Sequence, residues 1–495
     1  MSGSYAYSRV IPELSALTES SPAHLGTAFR RLVSAVWDDG RHTDRAVSAV
    51  PELVAAARSL PRDRQGHVIL LLGLLAESTG PEQETVRASV GNGLGTYLGL
   101  LAGGPPTDPL ASALLYLLAN LPAERERVIL AARGAGLERG DLSRLERCLR
   151  PFDPADPAIS RCWPSPAAWA GLTEADREAD RRWIAELPPA RIRASWDRDT
   201  RSLLAYSGAK ALWAVEHGPV DDSRWPELNL PAREPLPPNG DPFRGHAAAF
   251  RCPACHGALV PGELAVACTD CGSSYPLTDG GLDFSAGVGD STDMMTRNVP
   301  LGYSALRSAF LRLMGSGWDS AVPLSAEDDY LRSHVVPAPG PVLDLGAGTG
   351  RWTEVLTEAA GPEQVIALDV SRAMLGGLRS ALPRVLAVRG DALAMPFADA
   401  SLGAVNCWNT LQALPDRARA IAEVGRCLRP GGTLTLMTYQ PTSDWLYGYF
   451  QGKGFGVVGV QLTAPAELHG WLREANLTVR DQWEPGTYLF VTAVR

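Results

Sequence analysis

Lysine is nearly absent from this chain. Lys210 and Lys453 are its two occurrences, and Arg makes up the rest of the 46 basic side chains. Positive charge is also outnumbered, since 55 Asp and Glu leave a formal net charge of -9. A broad, non-specific nucleic-acid binder carries the opposite balance. Long apolar runs are missing too. The longest, Val68 to Ala76, falls well short of the roughly 20 residues that a membrane span needs. The opening MSGSYAYSRVIPEL lacks the basic and then apolar stretches of a secretory signal. Cysteine is sparse, eight in 495 residues, which excludes a disulfide-dense scaffold. Together these absences place the expected location in the cytoplasm. What is present, 45% hydrophobic and 20% charged residues, suits a soluble globular protein and argues against wholesale disorder. A chain of 495 residues exceeds one ordinary core, so several domains are expected.

The first region, 1–240, reads as successive helices. Ala46, Val47, Val50, Leu53, Val54 and Leu60 recur at helical spacing, and His67 to Glu77, Val86 to Leu101 and Pro109 to Leu121 carry similar apolar faces. Ser, Asp, Pro and Gly punctuate them. No alternating strand pattern stands out. A weak repeat joins Ser59–Leu70, Asn120–Leu130 and, more faintly, Glu186–Arg191, each with a Leu-Pro step that opens a helix. Two architectures remain open: stacked helical pairs of the HEAT type, or an irregular bundle whose helices share start signals. Residues 218–246 are rich in Pro and Asp and have the composition of a linker.

A short second region, 241–290, holds four of the eight cysteines in two pairs, Cys252 with Cys255 and Cys268 with Cys271. Each CxxC turn can present two thiolates, and the loop between lets the pairs face one another around tetrahedral zinc. So small a segment cannot fold on core burial alone, so the metal is expected to be structural. Four thiolates leave no open position for catalysis. His256 is expected at the surface. The remaining Cys148, Cys162, Cys407 and Cys427 read as small buried hydrophobes.

From about residue 291 strand-like and helix-like runs alternate, the pattern of a mostly parallel sheet. Strands are expected at Val342–Leu345, Val365–Asp369, Val385–Arg389, Ala404–Trp408, Thr433–Thr438, Leu477–Gln482 and Tyr488–Ala493, with a helix at Ala464–Ala475. The first strand, with Asp344 within it, runs into Gly346, Ala347, Gly348, Thr349 and Gly350, where glycine lets backbone approach a ligand closely. The second strand ends in Asp369, an acid placed to accept from both hydroxyls of a ribose. The third ends at Asp391, placed to accept from an adenine amino group. The fourth ends at Asn406, Trp408 and Asn409.

On the segments VLDLGAGTG, VIALDVS, GDALAMPFADASLGAVNCWNTLQALPD and LRPGGTLTLMTY, residues 341–439 resemble the core of class I S-adenosylmethionine-dependent methyltransferases. The resemblance implies an α/β Rossmann-like domain over 291–495 with a seven-stranded, mostly parallel sheet. It also assigns roles. Asp344 and the Gly346–Gly350 loop lie along the methionine part of the cofactor. Asp369 holds the ribose, Val370 and Met374 pack near the adenine, and Asp391 and Ala392 face its amino edge. Asn409 and Leu411 sit at the mouth. The cysteine segment, through Tyr275 to Gly280, resembles zinc ribbons that precede some bacterial methyltransferases, including rRNA guanine methyltransferases.

The cofactor motifs do not name the acceptor, because methyl transfer is chiefly a matter of alignment and needs a base only for a protonated nucleophile. Substrate contacts are expected from Met294–Tyr303 and from the aromatic insertion Trp445, Tyr447, Tyr449 and Phe450, which forms either a lid over the acceptor or ordinary helix packing. Asn409 and Tyr439 are the candidates for orienting the acceptor, with Trp408 and Gln412 nearby. His334 and His469 read as solvated helix residues rather than bases. Residues 325–495 hold 14 Arg and Lys against 17 Asp and Glu. That balance favours a small molecule or peptide of specialised biosynthesis over RNA, with the helical region recognising substrate or a protein partner. A non-catalytic scaffold that retains cofactor binding is the third reading.

Overall fold

The structure, a computed structural model, describes residues 11–163, 166–220, 241–278, 281–285, 310–315, 318, 322–456 and 459–495. Met294–Tyr303 and most of the linker lie outside these. The described residues divide into two units. One draws on Met1–Pro226, Ser304–Asp319 and Thr442–Val458, the other on Glu227–Tyr303, Ser320–Pro441 and Gly459–Arg495.

The first unit is helical. Its helices are α1 (Pro12–Glu19), α2 (Leu25–Val36), α3 (Ala46–Ser59), α4 (Arg62–Glu77), α5 (Gln83–Gly91), α6 (Leu94–Ala102), α7 (Pro109–Ala119), α8 (Arg125–Gly134), α9 (Arg139–Leu149), α10 (Pro166–Ala170), α11 (Glu174–Glu186) and α12 (Pro189–His217). Gln65 to Ala76 of α4 is buried on every side. A helix apolar all round belongs at the centre of its unit. α7 packs on it, and the long α12 crosses both. In a solenoid each repeat touches its sequence neighbours. Here a helix more than 100 residues downstream covers α4, so the irregular bundle is the arrangement observed. The repeated Leu-Pro steps do mark helix starts, with Pro61 capping α4 and Pro188 capping α12. The run expected as one helix from Val86 to Leu101 breaks in two at Asn92 and Gly93. A two-residue ribbon, β1 (Trp37–Asp38) with β2 (Arg41–His42), turns on Asp39 and Gly40, both at positive φ. An Asp-Gly step is a hairpin signal, and the absence of flanking alternation left this one unread in the sequence.

The second unit is built on one continuous sheet. Its strands are β3 (Leu259–Pro261), β4 (Ala265–Cys268), β5 (Ser274–Thr278), β6 (Gly281–Asp283), β7 (Val342–Leu345), β8 (Val365–Asp369), β9 (Leu386–Arg389), β10 (Leu402–Trp408), β11 (Leu428–Tyr439), β12 (Thr478–Trp483) and β13 (Tyr488–Val494). Their order is β12-β13-β11-β10-β7-β8-β9-β6-β5-β4-β3. The run from β11 to β6 is parallel. The helices are α13 (Leu324–His334), α14 (Arg351–Ala360), α15 (Arg372–Ala381), α16 (Arg417–Cys427) and α18 (Pro465–Glu474). The seven expected strands are all present, but the sheet does not stop at seven. β6 adds parallel to β9, and β5, β4 and β3 follow antiparallel. The cysteine segment therefore shares the sheet. It shares the core as well, since Phe250, Tyr275 and Phe284 lie in one buried cluster with Leu343, Ile366 and Val388.

Candidate functional site

The chain lays β7, β8 and β9 outward in one direction, then returns to place β10 on the other side of β7. Ligands of open α/β sheets bind in the crevice beyond the carboxyl ends of strands at such a reversal. The loops leaving β7 and β10 meet there. Thr410 Oγ1 donates to the Gly346 carbonyl at 3.2 Å. A Cβ on Gly346 would sit 2.2 Å from the Thr410 side chain, and its φ of +75° favours glycine independently. The expected glycine requirement at this position therefore has a steric cause.

Asp369 ends β8 and braces the glycine loop. Its Oδ2 accepts from the Gly348 N–H at 2.9 Å and its Oδ1 from the Ser371 N–H at 2.8 Å. Burial raises its pKa, and the backbone donors oppose that shift. Each oxygen keeps further acceptor capacity. Asp391 accepts from the Leu393 N–H through Oδ1 at 2.9 Å, and Ala392 beside it is buried. Val370, at the start of the β8–α15 connection, and Met374, in the first turn of α15, are half-buried. The glycine loop, Asp369 and Asp391 with Ala392 thus lie at the ends of the adjacent strands β7, β8 and β9.

Asp344 lies under the loop instead of facing outward. It is 2% exposed, Thr353 donates to one oxygen at 2.5 Å, and the Asn406 amide donates to the other at 2.7 Å. Burial lifts its pKa to about 6. Thr353 was not singled out in the sequence, and its spacing in α14 carries no recognisable signal. Leu411 is fully buried in the core, not at an open mouth, because the turn after Thr410 folds it inward. Tyr439 is buried as the last residue of β11, its ring 5.6 Å from that of Tyr488. Asn409 holds a φ of +54°, its N–H donates to the Met437 carbonyl, and its Oδ1 accepts from Gln412 at 2.8 Å. A left-handed Asn fixed from two sides at a strand end is a positioned polar group. Trp408 is buried and donates to Glu327 at 3.0 Å. His334 stacks on Tyr330 and His469 binds Gln482, so neither imidazole belongs to the loop cluster.

The aromatic insertion packs within the helical unit. α17 (Trp445–Gly456) lies in the helical unit, where Tyr449 meets Trp37 at 4.8 Å and Phe450 meets Tyr116 at 5.6 Å. Of the two readings left open, ordinary helix packing is what Tyr447, Tyr449 and Phe450 show within that unit, while Trp445 is exposed.

The four cysteine sulfurs lie within 4.8 Å of one another. Cys252 and Cys271 are 3.7 Å apart, Cys255 and Cys268 3.4 Å. Thiolates about 2.3 Å from one tetrahedral metal imply edges of about 3.8 Å, so the set has the right size and chemistry for zinc. Both knuckles are closed by backbone, His256 N–H to Cys252 and Gly272 N–H to Cys268, with His256 and Gly272 at positive φ. The lone cysteines Cys148, Cys162, Cys407 and Cys427 are all buried.

Residues 342–432 match a family model described as a methyltransferase domain. A malonyl-[acyl-carrier protein] O-methyltransferase of Methylococcus capsulatus is 40% identical over 109 residues, 21% of this chain and 40% of that protein. The chain thus spans about two fifths of that relative. A demethylmenaquinone methyltransferase of Deinococcus radiodurans is 30% identical over 198 residues, 38% of this chain and 78% of that protein. Among solved structures, a methyltransferase of Bacillus halodurans aligns at 21% identity and a TM-score of 0.30, covering 32% of this chain and 71% of its own.

Proposed function

The chain belongs to the class I S-adenosylmethionine-dependent methyltransferases, and from that premise we propose that it methylates a small molecule or a peptide of specialised biosynthesis in the cytoplasm. In this reading the helical unit recognises the substrate or a protein partner. The observation that carries the substrate class is electrostatic: residues 325–495 are net acidic, 14 basic against 17 acidic groups. Enzymes of RNA usually offer basic tracks to the phosphates. The relatives' own acceptors, a carrier-bound malonyl group and demethylmenaquinone by their names, are not RNA. No described helix is long and apolar enough to cross a membrane.

S-adenosylmethionine supplies an electrophilic methyl on a sulfonium. The chain's part is to hold and align. Backbone from Gly346 to Gly350, with Ala347 and Thr349 between the glycines, lines the methionine side. Asp369 takes the ribose hydroxyls, and Asp391 with Ala392 takes the adenine edge beside Val370 and Met374. Asp344 positions the loop through Thr353 and Asn406. Asn409, locked by Gln412, orients the acceptor, and Tyr439 supports the end of β11 behind it. Alignment of this kind accounts for much of the rate in such displacements. The four cysteines hold structural zinc, which ties β3 to β5 together.

Titration calorimetry tests the cofactor site. Saturable binding of S-adenosylmethionine and S-adenosylhomocysteine is expected for the wild type, weakened at least tenfold in Asp369→Ala. Unchanged affinity in the variant rejects the ribose assignment. Metal analysis tests the ribbon. One zinc per chain is expected, reduced in Cys255→Ser, and a folded protein without zinc overturns the assignment.

A further inference from the structure

The helical unit contains a cavity of about 610 Å3 that the methyl-transfer chemistry does not use. Helices α8 and α9, the loop after α9 and the short α10 form its walls. Six arginines line it, Arg125, Arg133, Arg139, Arg147, Arg150 and Arg161, against two acids, Glu138 and Glu146. In a chain with a net charge of -9 this is a local reversal of sign.

Much of that charge is structural. Arg133 pairs with Glu146 at 2.8 Å, Arg147 with the buried Asp199 at 3.0 Å, and Arg150 and Arg161 both with Asp156. Glu138 is spent on capping α9, accepting from the Gly140 and Asp141 N–H groups. Even with Asp156 and Asp199 counted, the walls carry two more positive than negative charges. The guanidinium groups of Arg125 and Arg139, both exposed residues, have no ion pair or hydrogen bond among the described residues. Two unneutralised guanidinium groups suit a dianion. Phosphate carries about that charge near pH 7, and the planar fork of Arg matches its oxygens. The cavity is far larger than one phosphate and falls within the ordinary range for organic ligands. Ile129, Ala158, Pro166 and Trp169 supply an apolar side, with Arg161 lying over the Trp169 ring at 5.3 Å.

We propose that this cavity binds a small organic phosphate, its phosphate held by Arg125 and Arg139 and its carbon skeleton lying towards Trp169. The proposal gives a ligand chemistry to the recognition role inferred for the helical unit, and it rests on that reading only for its biological use.

The test is calorimetry on the full chain, with S-adenosylhomocysteine saturating the cofactor site beforehand. Pyrophosphate, uridine diphosphate and citrate are the probes. Saturable binding of both phosphates is expected, with uridine diphosphate tighter than pyrophosphate. Affinity should fall at least tenfold in the double variant Arg125→Ala, Arg139→Ala, and also as salt rises from 50 to 300 mM. Both arginines are exposed and unpaired, so the variant should melt as the wild type does. Binding of citrate in preference to both phosphates rejects the ligand class. Absence of binding by all three probes, or equal binding by the double variant, rejects the site. The preliminary S-adenosylhomocysteine titration reports separately on the methyltransferase reading.

Discussion

Among single residues, Asp344 has the most revealing environment. It stands two residues before the first glycine of the motif, and from sequence it reads as a cofactor contact. The structure gives it a different task, since both oxygens are committed to Thr353 and Asn406 below the loop. Its folded-state pKa is raised to about 6 from 3.8 by burial. A group raised in this way favours folding below the unfolded value and loses that contribution as pH rises through the folded one. Between pH 4 and pH 7 the wild type therefore comes to bear the cost of a buried charge. Asparagine fills the same volume without it, and the Asn406 amide can turn to present its unpaired oxygen. Asp344→Asn is expected to gain stability relative to wild type as pH rises from 4.5 to 7.5. The change is at most about 3 kcal/mol, from two pKa units in a buried group. Denaturant unfolding of both proteins at several pH values measures it, and a difference constant with pH rejects the assigned titration. The sequence could place Asp344 on a buried strand. It could not reveal Thr353 and Asn406 as its partners, because that triangle joins a helix and two strands.

Elements were more legible than contacts. Every strand from β7 to β13 was expected within a few residues, since all but the polar β12 are largely apolar runs of strand length bounded by turns. β6 was not, because Gly281–Asp283 offers three residues and no periodicity. Yet β6 is where the cysteine segment joins the sheet. Asp283 accepts from Arg389 at 3.1 Å and from Arg372 at 3.4 Å, and Arg389 also donates to the Val370 carbonyl at 2.9 Å. A single guanidinium thus connects the ribbon to the connection that follows Asp369. Breaking a buried ion pair by neutralising one partner costs on the order of 3 kcal/mol. Asp283→Asn is expected to lower the melting temperature and to weaken S-adenosylhomocysteine binding three- to tenfold through misplacement of Val370. Zinc content should stay at the wild-type level. Calorimetry and metal analysis on the same sample decide the matter. Loss of stability with wild-type affinity would limit the Asp283–Arg389 pair to a structural role.

At the scale of the whole molecule, the two units are interleaved in sequence. The helical unit is not complete at residue 220, because α17 arrives from beyond β11. It is bound there by chemistry of several kinds. Arg30 pairs with both Glu216 and Asp444, Lys453 pairs with Glu77, and Gly208 of α12 allows an approach to Phe450 that any Cβ would block at 2.1 Å. A sequence reading that assigned 1–240 to one domain and 291–495 to another could not see this, since aromatic runs look alike in a lid and in a core. Leu446, Tyr447, Phe450 and Phe455 are all buried in the full chain. Residues 241–495 produced alone would present these side chains to water, and exposed apolar patches of that size promote association. That fragment is therefore expected to aggregate, whereas the same fragment with Ser304–Asp319 and Thr442–Val458 each replaced by a short Gly-Ser linker should elute as a soluble species and bind S-adenosylhomocysteine. Gel filtration of the two fragments checks this. A soluble, monodisperse 241–495 with α17 intact would show that the helix does not need the helical unit. The methyltransferase half could then be treated as an independent domain carrying an insertion of its own.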